Sequence, residues 1–561
     1  MAAPLVEEDE TMKEPLLSNS EPTKGGFRTM PFVLANEAFE RVANYGLQPN
    51  MILYLTREYG LRAAMAANVI FLWSAATDFT PLLWAFVADA YVGRYPMIAL
   101  GSIVCFMPHM QKPSSIPTFF LYSSYGLMAI GAGGIRSCSV AFGADQLDNR
   151  KNKKKNAGIL ESYFSWYIVL VNVSMLVALT CVVYVQEQFG WMVGFGVPSI
   201  LMLLAVISFL LASPLYVKLK PKYSVLTGLA QVVVASYKNK DILLTSSDAN
   251  HEYYHIKDSM PKPSEKLRFL NKACIIRHPQ QNVRTPDGSG PDPWRLCTVN
   301  QVEQLKSVIR IIPIWSTAML MTMTISSQSS YAVLQATTMD RHLTSSFEIP
   351  AGSFSMFVVI SSTLWLGFYN SIALPIASKI KGKSARLSSK KRMGIGIFIS
   401  CISMATSATV EGIRRKKAIQ QGFEDDPHAV VNMSALWLLP QYIILGISEA
   451  FNAAGQIEFY YSELPKSMSS IAITLCLLAS SLASLVASLM MSIVDSITRT
   501  GNQESWLSDN LNKGHYDYYC WLLFGVGVFS FVYYIACSRS YGPCQGEESR
   551  DISRDEVSDE C

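Results

Sequence analysis

Glu37, Glu40 and Arg41 stand within an otherwise apolar stretch running from about residue 30 to residue 55. An ionisable side chain near the middle of a bilayer-spanning helix costs about 2.5–3.5 kcal/mol on insertion scales. A cluster of them is tolerable only where it meets partners or a water-filled path. Positions 37, 40 and 41 are i, i+3 and i+4, so all three fall on one face of a helix. A carboxylate beside a guanidinium ionises readily, and protonating it frees the guanidinium for another anion. The pattern can therefore couple the loading of a proton to the loading of an anion.

Four further groups place chemistry in apolar surroundings. Gly131-Ala132-Gly133-Gly134-Ile135-Arg136 thins a helix for close packing and leaves an arginine in mid-span, followed by Phe142-Gly143-Ala144-Asp145-Gln146. Arginine stays protonated even when buried, so Arg136 needs an acidic partner or an anion. Glu449 and Glu458 lie nine residues apart in another apolar run. Asp89 and Arg94 flank the end of the second apolar segment and read as a lock between helices. Lys306 opens the seventh segment, which continues through Pro313, Trp315 and Gln328. A purely structural reading, with Glu40 bonded to Arg41 or Glu37 to Arg136, competes with the functional one at each carboxylate. For Glu458 the structural reading weighs as much as the functional one, because it sits nearer the end of its segment. Ser480, Ser484 and Ser488, with Ala479, Ala483 and Ala487, form a face of small residues that reports helix packing.

The elements that must position these groups are membrane helices. Half of the 561 residues are hydrophobic and only 16% are charged, against roughly 25% in soluble domains; mean hydropathy is +0.22. Twelve segments approach the ~20 residues that cross a bilayer. They lie near 30–55, 64–88, 95–111, 119–145, 161–185, 191–212, 308–334, 348–377, 391–412, 433–461, 468–495 and 516–538. The expected fold is an all-α membrane protein with two six-helix bundles, 30–212 and 305–538, joined by a polar cytoplasmic linker, 213–304. Residues 1–29 are expected to be a disordered cytoplasmic N-terminus, without a secretory signal, and 539–561 an acidic cytoplasmic tail. Lysine and arginine runs at 150–155, 218–222, 379–383 and 390–392 fall on the side of the termini, with Arg414 to Lys417 as the one contrary cluster. The net charge of +4 gives no basic face for nucleic acid, and the 11 cysteines show neither CxxC spacing nor a disulfide framework. None of the seven histidines lies deep in an apolar segment, so a metal-dependent membrane enzyme is not expected. Of two glycosylation sequons, the one at Asn172 falls inside a span and the one at Asn432 is weak.

At these residues the chain resembles the plant nitrate/peptide transporter family, within the proton-dependent oligopeptide transporters of the major facilitator fold. Glu37/Glu40/Arg41 is the most specific mark. It is supported by Gly133-Gly134-Ile135-Arg136 with Phe142-Gly143-Ala144-Asp145-Gln146, by Pro293-Trp294-Arg295-Leu296-Cys297-Thr298-Val299 and by Met339-Asp340-Arg341. Arg392-Met393-Gly394-Ile395-Gly396 and Gly455-Gln456-Ile457-Glu458-Phe459-Tyr460 continue the match in order, from about residue 27 to residue 541. The resemblance implies an alternating-access symporter driven by the proton gradient, with no other cofactor and no metal. It implies proton coupling at Glu37, Glu40 and Arg41, and substrate contact at Arg136, Glu449, Tyr45 and Gln328. Glu449 would bond across to the seventh-span side. Asp89, Arg94, Lys306 and Glu458 are expected to gate or brace. The chain departs from the family pattern at Ser137, where a proline is usual, and at Ile168, where a tyrosine is frequent. Ser326 and Ser327 stand where specialised relatives carry a histidine or a glutamate, leaving the second bundle with less charge.

The function expected from the sequence is proton-coupled symport of a small, anionic solute such as nitrate. A plant hormone, a glycoside such as a glucosinolate, or a di- or tripeptide is the alternative cargo. A substrate-sensing receptor on a transporter scaffold is the rival from another class, and an enzyme is not expected. The partners are the lipid bilayer, protons and the solute, with a monomer adequate for transport. The expected location is the plasma membrane, as a multi-pass protein with both termini cytoplasmic.

Overall fold

The computed structural model describes residues 25–109, 118–147, 153–219, 225–242, 253–255, 262–276, 292–382, 387–465, 468–500 and 504–542. Residues 1–24 of the N-terminal segment, 543–561 of the acidic tail, and the basic positions Arg150, Lys151, Lys220, Lys222 and Lys383 lie outside these.

Among the described residues fifteen α-helices follow in order: α1 (Met30–Leu47), α2 (Met51–Arg57), α3 (Ala63–Val87), α4 (Arg94–His109), α5 (Thr118–Leu147), α6 (Lys153–Val177), α7 (Val183–Leu211) and α8 (Val225–Lys238) in the first half and linker. Then come α9 (Val299–Thr337), α10 (Met356–Phe368), α11 (Leu374–Lys381), α12 (Ser389–Gln420), α13 (Leu439–Glu463), α14 (Ser469–Thr498) and α15 (Tyr516–Tyr541). Among the described residues, eight helical stretches are long and apolar enough to cross a bilayer. One of them, 158–211, holds two crossings broken at Gly190, whose φ of 77° only glycine adopts freely. The charged α1 with α2, the shorter α4, and α13 with its glutamates complete twelve crossings.

In chain order α1 and α3 to α7 make up one bundle and α9, α10 and α12 to α15 the other, with α3 packed against α14 across the divide. In lipid the driving force between helices is close packing rather than water exclusion, so small residues decide which helices touch. Gly131 of α5 lies so near α4 that a Cβ there would stand 2.4 Å from the Cys105 amide nitrogen. On the adjoining face of α5, a Cβ at Gly133 would meet Thr80 Oγ1 of α3 at 2.4 Å. The glycine run thus wedges α5 between two neighbours and fixes the height of Arg136, one turn further on.

The all-α expectation gains four short strands, two of them paired in parallel, Met339–Asp340 with Val431–Ser434, and two forming a hairpin, His342–Thr344 with Phe347–Glu348. They lie at the ends of α9 and before α13, on the face opposite the linker. The linker is also more than a polar connection. Val232 and Ala235 of α8 pack on Leu270, Ala273, Cys274, Cys297 and Val302 in a small core of their own. The Pro293 to Val299 run supplies part of that core, and Cys297 N donates to Ala273 O at 2.8 Å. Burial pushes the thiols of Cys274 and Cys297 up to about 12, so both are packing groups and not reactive ones. Thr298 and Gln301 then form a capping box that starts α9.

Candidate functional site

Charges expected to need partners find them within the first bundle. Glu37, fully buried, accepts from Arg41 Nε at 2.8 Å, the i, i+4 pair legible in the sequence. Glu40, also fully buried, takes the long-range partner. Arg136 Nη2 lies 3.0 Å from its Oε1, and Arg136 Nε donates to Oε1 at 3.1 Å and to Oε2 at 3.2 Å. Asn44 Nδ2 adds a bond to Glu40 Oε1 at 3.0 Å, and Arg41 stands 3.8 Å from Oε2. The Glu37–Arg136 pairing considered from the sequence is thus replaced by Glu40–Arg136, because the α1–α5 crossing brings residue 40, not 37, level with 136. The Arg136 guanidinium also lies over the Tyr45 ring, 5.3 Å from its centroid.

Arg136 of this pair, with Glu40 buried behind it, lines a central cavity of about 390 Å³ between the bundles. The first bundle contributes Asn44, Tyr45, Trp73, Asp78 and Arg136, among others, and the second Thr322, Ser326, Ser329, Glu449, Ser480 and Ser484. Arg136, Tyr45 and Glu449, expected as substrate contacts, are together here. Glu449 faces the same space as Thr322 and Ser326 of α9, and no hydrogen bond or ion pair joins it to α9 among the described residues. Gln328 is a correction. Residues 322, 326 and 329 repeat at i, i+4 and i+7 and face the cavity, which turns 328 away. Its amide donates to Ser407 Oγ of α12 at 2.6 Å instead. Ser327 is likewise turned away, fully buried and donating to Met323 Sδ; only Ser326 of that pair lines the cavity.

Asp78 went unremarked in the sequence, although the same cost argument applies to it. It lies in the apolar α3, and its carboxylate lines the cavity with Arg136 and Glu449.

The bracing residues lie away from the cavity. Arg94 Nη1 meets Asp145 Oδ2 at 2.6 Å and Arg94 Nη2 meets Asp89 Oδ1 at 3.3 Å, tying the start of α4 to the end of α5 and the turn after α3. Gln146, next along, donates to Val217 O and accepts from Val217 N, while its own carbonyl accepts from Gly26 N. Lys306 Nζ is bonded to Glu303 and to the linker through Ser264 O at 2.7 Å. Glu458 pairs with Arg392 of α12 at 2.9 Å.

On the face opposite the linker the two bundles are bonded together. Asp509 accepts from the Ala63 amide at 2.5 Å and Asn68 donates to Ser492 Oγ at 2.9 Å, while deeper, beside the cavity, Ser481 Oγ donates to Ala75 O at 2.8 Å. Arg341, from the Met339-Asp340-Arg341 run, bridges Glu187 of the first bundle at 2.5 Å and Glu348 at 2.6 Å. The contrary basic cluster also has a structural reason. Arg414, wholly buried in the last turns of α12, bonds Glu411 twice, Asn512 Oδ1 at 2.7 Å and Leu511 O at 3.1 Å, while Arg415 Nε donates to Gly514 O.

Two bundles of membrane helices around a charged cavity, sealed on one face, define a transporter of the major facilitator type. The sequence matches the family described as PTR2: POT family over residues 95–507. It is 49% identical over 551 residues to Protein NRT1/PTR FAMILY 1.2 of Arabidopsis thaliana, an alignment covering 93% of this chain and 90% of that protein. It is 47% identical over 573 residues to Protein NRT1/PTR FAMILY 1.1 of the same plant, covering 97% and 96%. The fold is similar to that of the POT family transporter PepTSo, with a TM-score of 0.67 at 20% identity over 92% of this chain and 98% of that one. The chain belongs to the POT family, among its NRT1/PTR members. It is a multi-pass membrane transporter and not an enzyme.

Proposed function

We propose that this transporter is a proton-coupled symporter of a small solute that presents a negative group to Arg136, with nitrate the first solute to test. The observation that carries the reading is the Glu40–Arg136 pair, Nη2 to Oε1 at 3.0 Å, whose arginine lines the cavity. A proton arriving at Glu40 cancels the counter-charge of Arg136, and the freed guanidinium then draws an anionic group of the solute. Release of the solute restores the pair and expels the proton on the other side. Glu37 keeps Arg41 occupied meanwhile, so the two arginines do not compete for one carboxylate. Tyr45, stacked on the guanidinium, holds it toward the cavity.

Both termini and the linker face the cytoplasm in this reading, which Lys218, Lys379, Lys390 and Lys391 at the linker face support. The plasma membrane is the proposed site of action. In this reading the face bonded through Arg341 and Asp509 is the closed one, and the cavity exchanges with the cytoplasmic side. The test is uptake of labelled nitrate, a hormone, a glucosinolate and a dipeptide into cells at acidic and at neutral external pH. Symport raises uptake of the true solute in acid, whereas rates independent of pH for every transported solute overturn it.

A further inference from the structure

The cavity carries more acid than its arginines balance. Glu37 holds Arg41 and Glu40 holds Arg136, and two further carboxylates, Asp78 and Glu449, face the same space. Neither has a hydrogen bond or ion pair among the described residues. Asp78 is the one close to the working pair. The helices α3 and α5 run in the same direction, with Trp73 stacked on Tyr125 and Thr80 against Gly133, and Asp78 and Arg136 line the same cavity. The positive groups acting on Asp78 are Arg136 and Arg41.

We propose that Asp78 is a second proton-binding residue of the transport cycle, distinct from Glu40 and placed on a different helix. The inference rests on the proton-coupled reading of the same cavity. While Asp78 is ionised, it offers Arg136 an alternative counter-charge when Glu40 is protonated, and it repels an anionic group entering beside it. A proton from the acidic compartment, bound to a carboxylate oxygen of Asp78 as a carboxylic acid, removes both effects. The proton leaves with the solute on the other side. The groups facing Asp78 from its neighbours agree with this role. Charge comes from Arg41 of α1, Arg136 of α5 and Glu449 of α13, and the phenol of Tyr45 is the other titratable group. Of the cavity-lining residues of α9 and α14, Thr322, Ser326, Ser329, Ser480 and Ser484 offer hydroxyls only, so no cation of the second bundle competes for Asp78 in this cavity.

The test reads protons directly and needs no solute. The full chain in lipid nanodiscs is taken from neutral to mildly acidic pH, and the infrared carboxylic-acid C=O band that appears is compared with that of Asp78→Asn and of Glu40→Gln. The expected result is loss of one carboxyl's share of the band in Asp78→Asn, a separate share lost in Glu40→Gln, and a restored, shifted band in Asp78→Glu. A band in Asp78→Asn equal to that of the unaltered protein overturns the proposal. Where Asp78→Asn does not give a monodisperse protein, Asp78→Ser is read in the same way, and Asp78→Glu still reports whether an acid at this position binds the proton. Failure of the symport reading shows elsewhere, as uptake indifferent to pH.

Discussion

Glu40→Gln tests the coupling step most directly, because it removes one charge and almost no volume. Glu40 is fully buried and Arg136 keeps only 9% of its side-chain surface, so the pair sits largely out of water. Removing one partner of such a pair costs about 3–5 kcal/mol. Arg136 faces the cavity, which lets solvent or solute recover part of that, so the lower figure of about 3 kcal/mol applies. At about 1.4 kcal/mol per tenfold, an anionic group at Arg136 no longer has to displace Glu40 and binds roughly a hundredfold tighter at neutral pH. Asn44 still has an acceptor in the amide oxygen, so the local hydrogen bond survives and the variant folds. The assay uses purified protein in liposomes loaded with the solute identified by the uptake panel. Exchange of labelled for unlabelled solute continues, its apparent affinity at neutral pH tightens, the share of its pH dependence that belongs to Glu40 is lost, and an imposed pH gradient drives less accumulation than in the unaltered protein. Accumulation equal to that of the unaltered protein, or an affinity at neutral pH that does not tighten, refutes the argument and removes Glu40 from the mechanism.

Two further outcomes follow from the bracing residues. Arg341→Gln breaks the bridge from Glu187 to the second bundle, whose groups are 14% and 25% exposed. At about 1 kcal/mol for such a partly screened pair, the state open on that face becomes roughly fivefold more populated. Labelling of Ser484→Cys by an impermeant maleimide applied to that face should quicken accordingly; an unchanged rate would mean that the bridge does not hold the gate. Glu411→Gln leaves the wholly buried Arg414 without its counter-charge, among neutral acceptors such as Asn512 and Leu511 O, which lowers the thermal midpoint in detergent by an amount corresponding to about 3 kcal/mol. Adding Arg414→Met to that variant should recover part of the loss, and a double variant no better than the single one argues against an ion-pair cause.

What the sequence disclosed was what is costly or local. Glu37, Glu40 and Arg41 stood out because charge inside a lipid-spanning helix is expensive, and the 37–41 pair is fixed by helix geometry alone. The partner of Arg136 was not legible, since it depends on how α1 and α5 cross, and that crossing is set by glycines whose neighbours are far away in sequence. Gln328 was misplaced for a related reason: its type fits a substrate contact, but the rotation of α9 decides which residues face the cavity. Asp78 obeys the same cost rule, but a single carboxylate between Thr77 and Phe79 makes no pattern. In the linker, averaging over its many polar residues hid α8, whose Val232 and Ala235 need Cys297 and Val302, some 60 residues away, to form a core. Strands of two to four residues are shorter than any alternation that could announce them.

The end of α5 has a consequence beyond bracing. One rod carries Arg136 in the cavity and, two to three turns later, Asp145 and Gln146, which hold the turn after α3, the segment at Gly26 and the start of the linker at Val217. The cavity and the linker face are thus two ends of a single lever. If α5 takes up different positions in the two states of the cycle, a partner or modification at Gly26 or Val217 that fits one position better changes the cavity's affinity for solute. By thermodynamic reciprocity, the solute then changes the grip on that partner by the same factor.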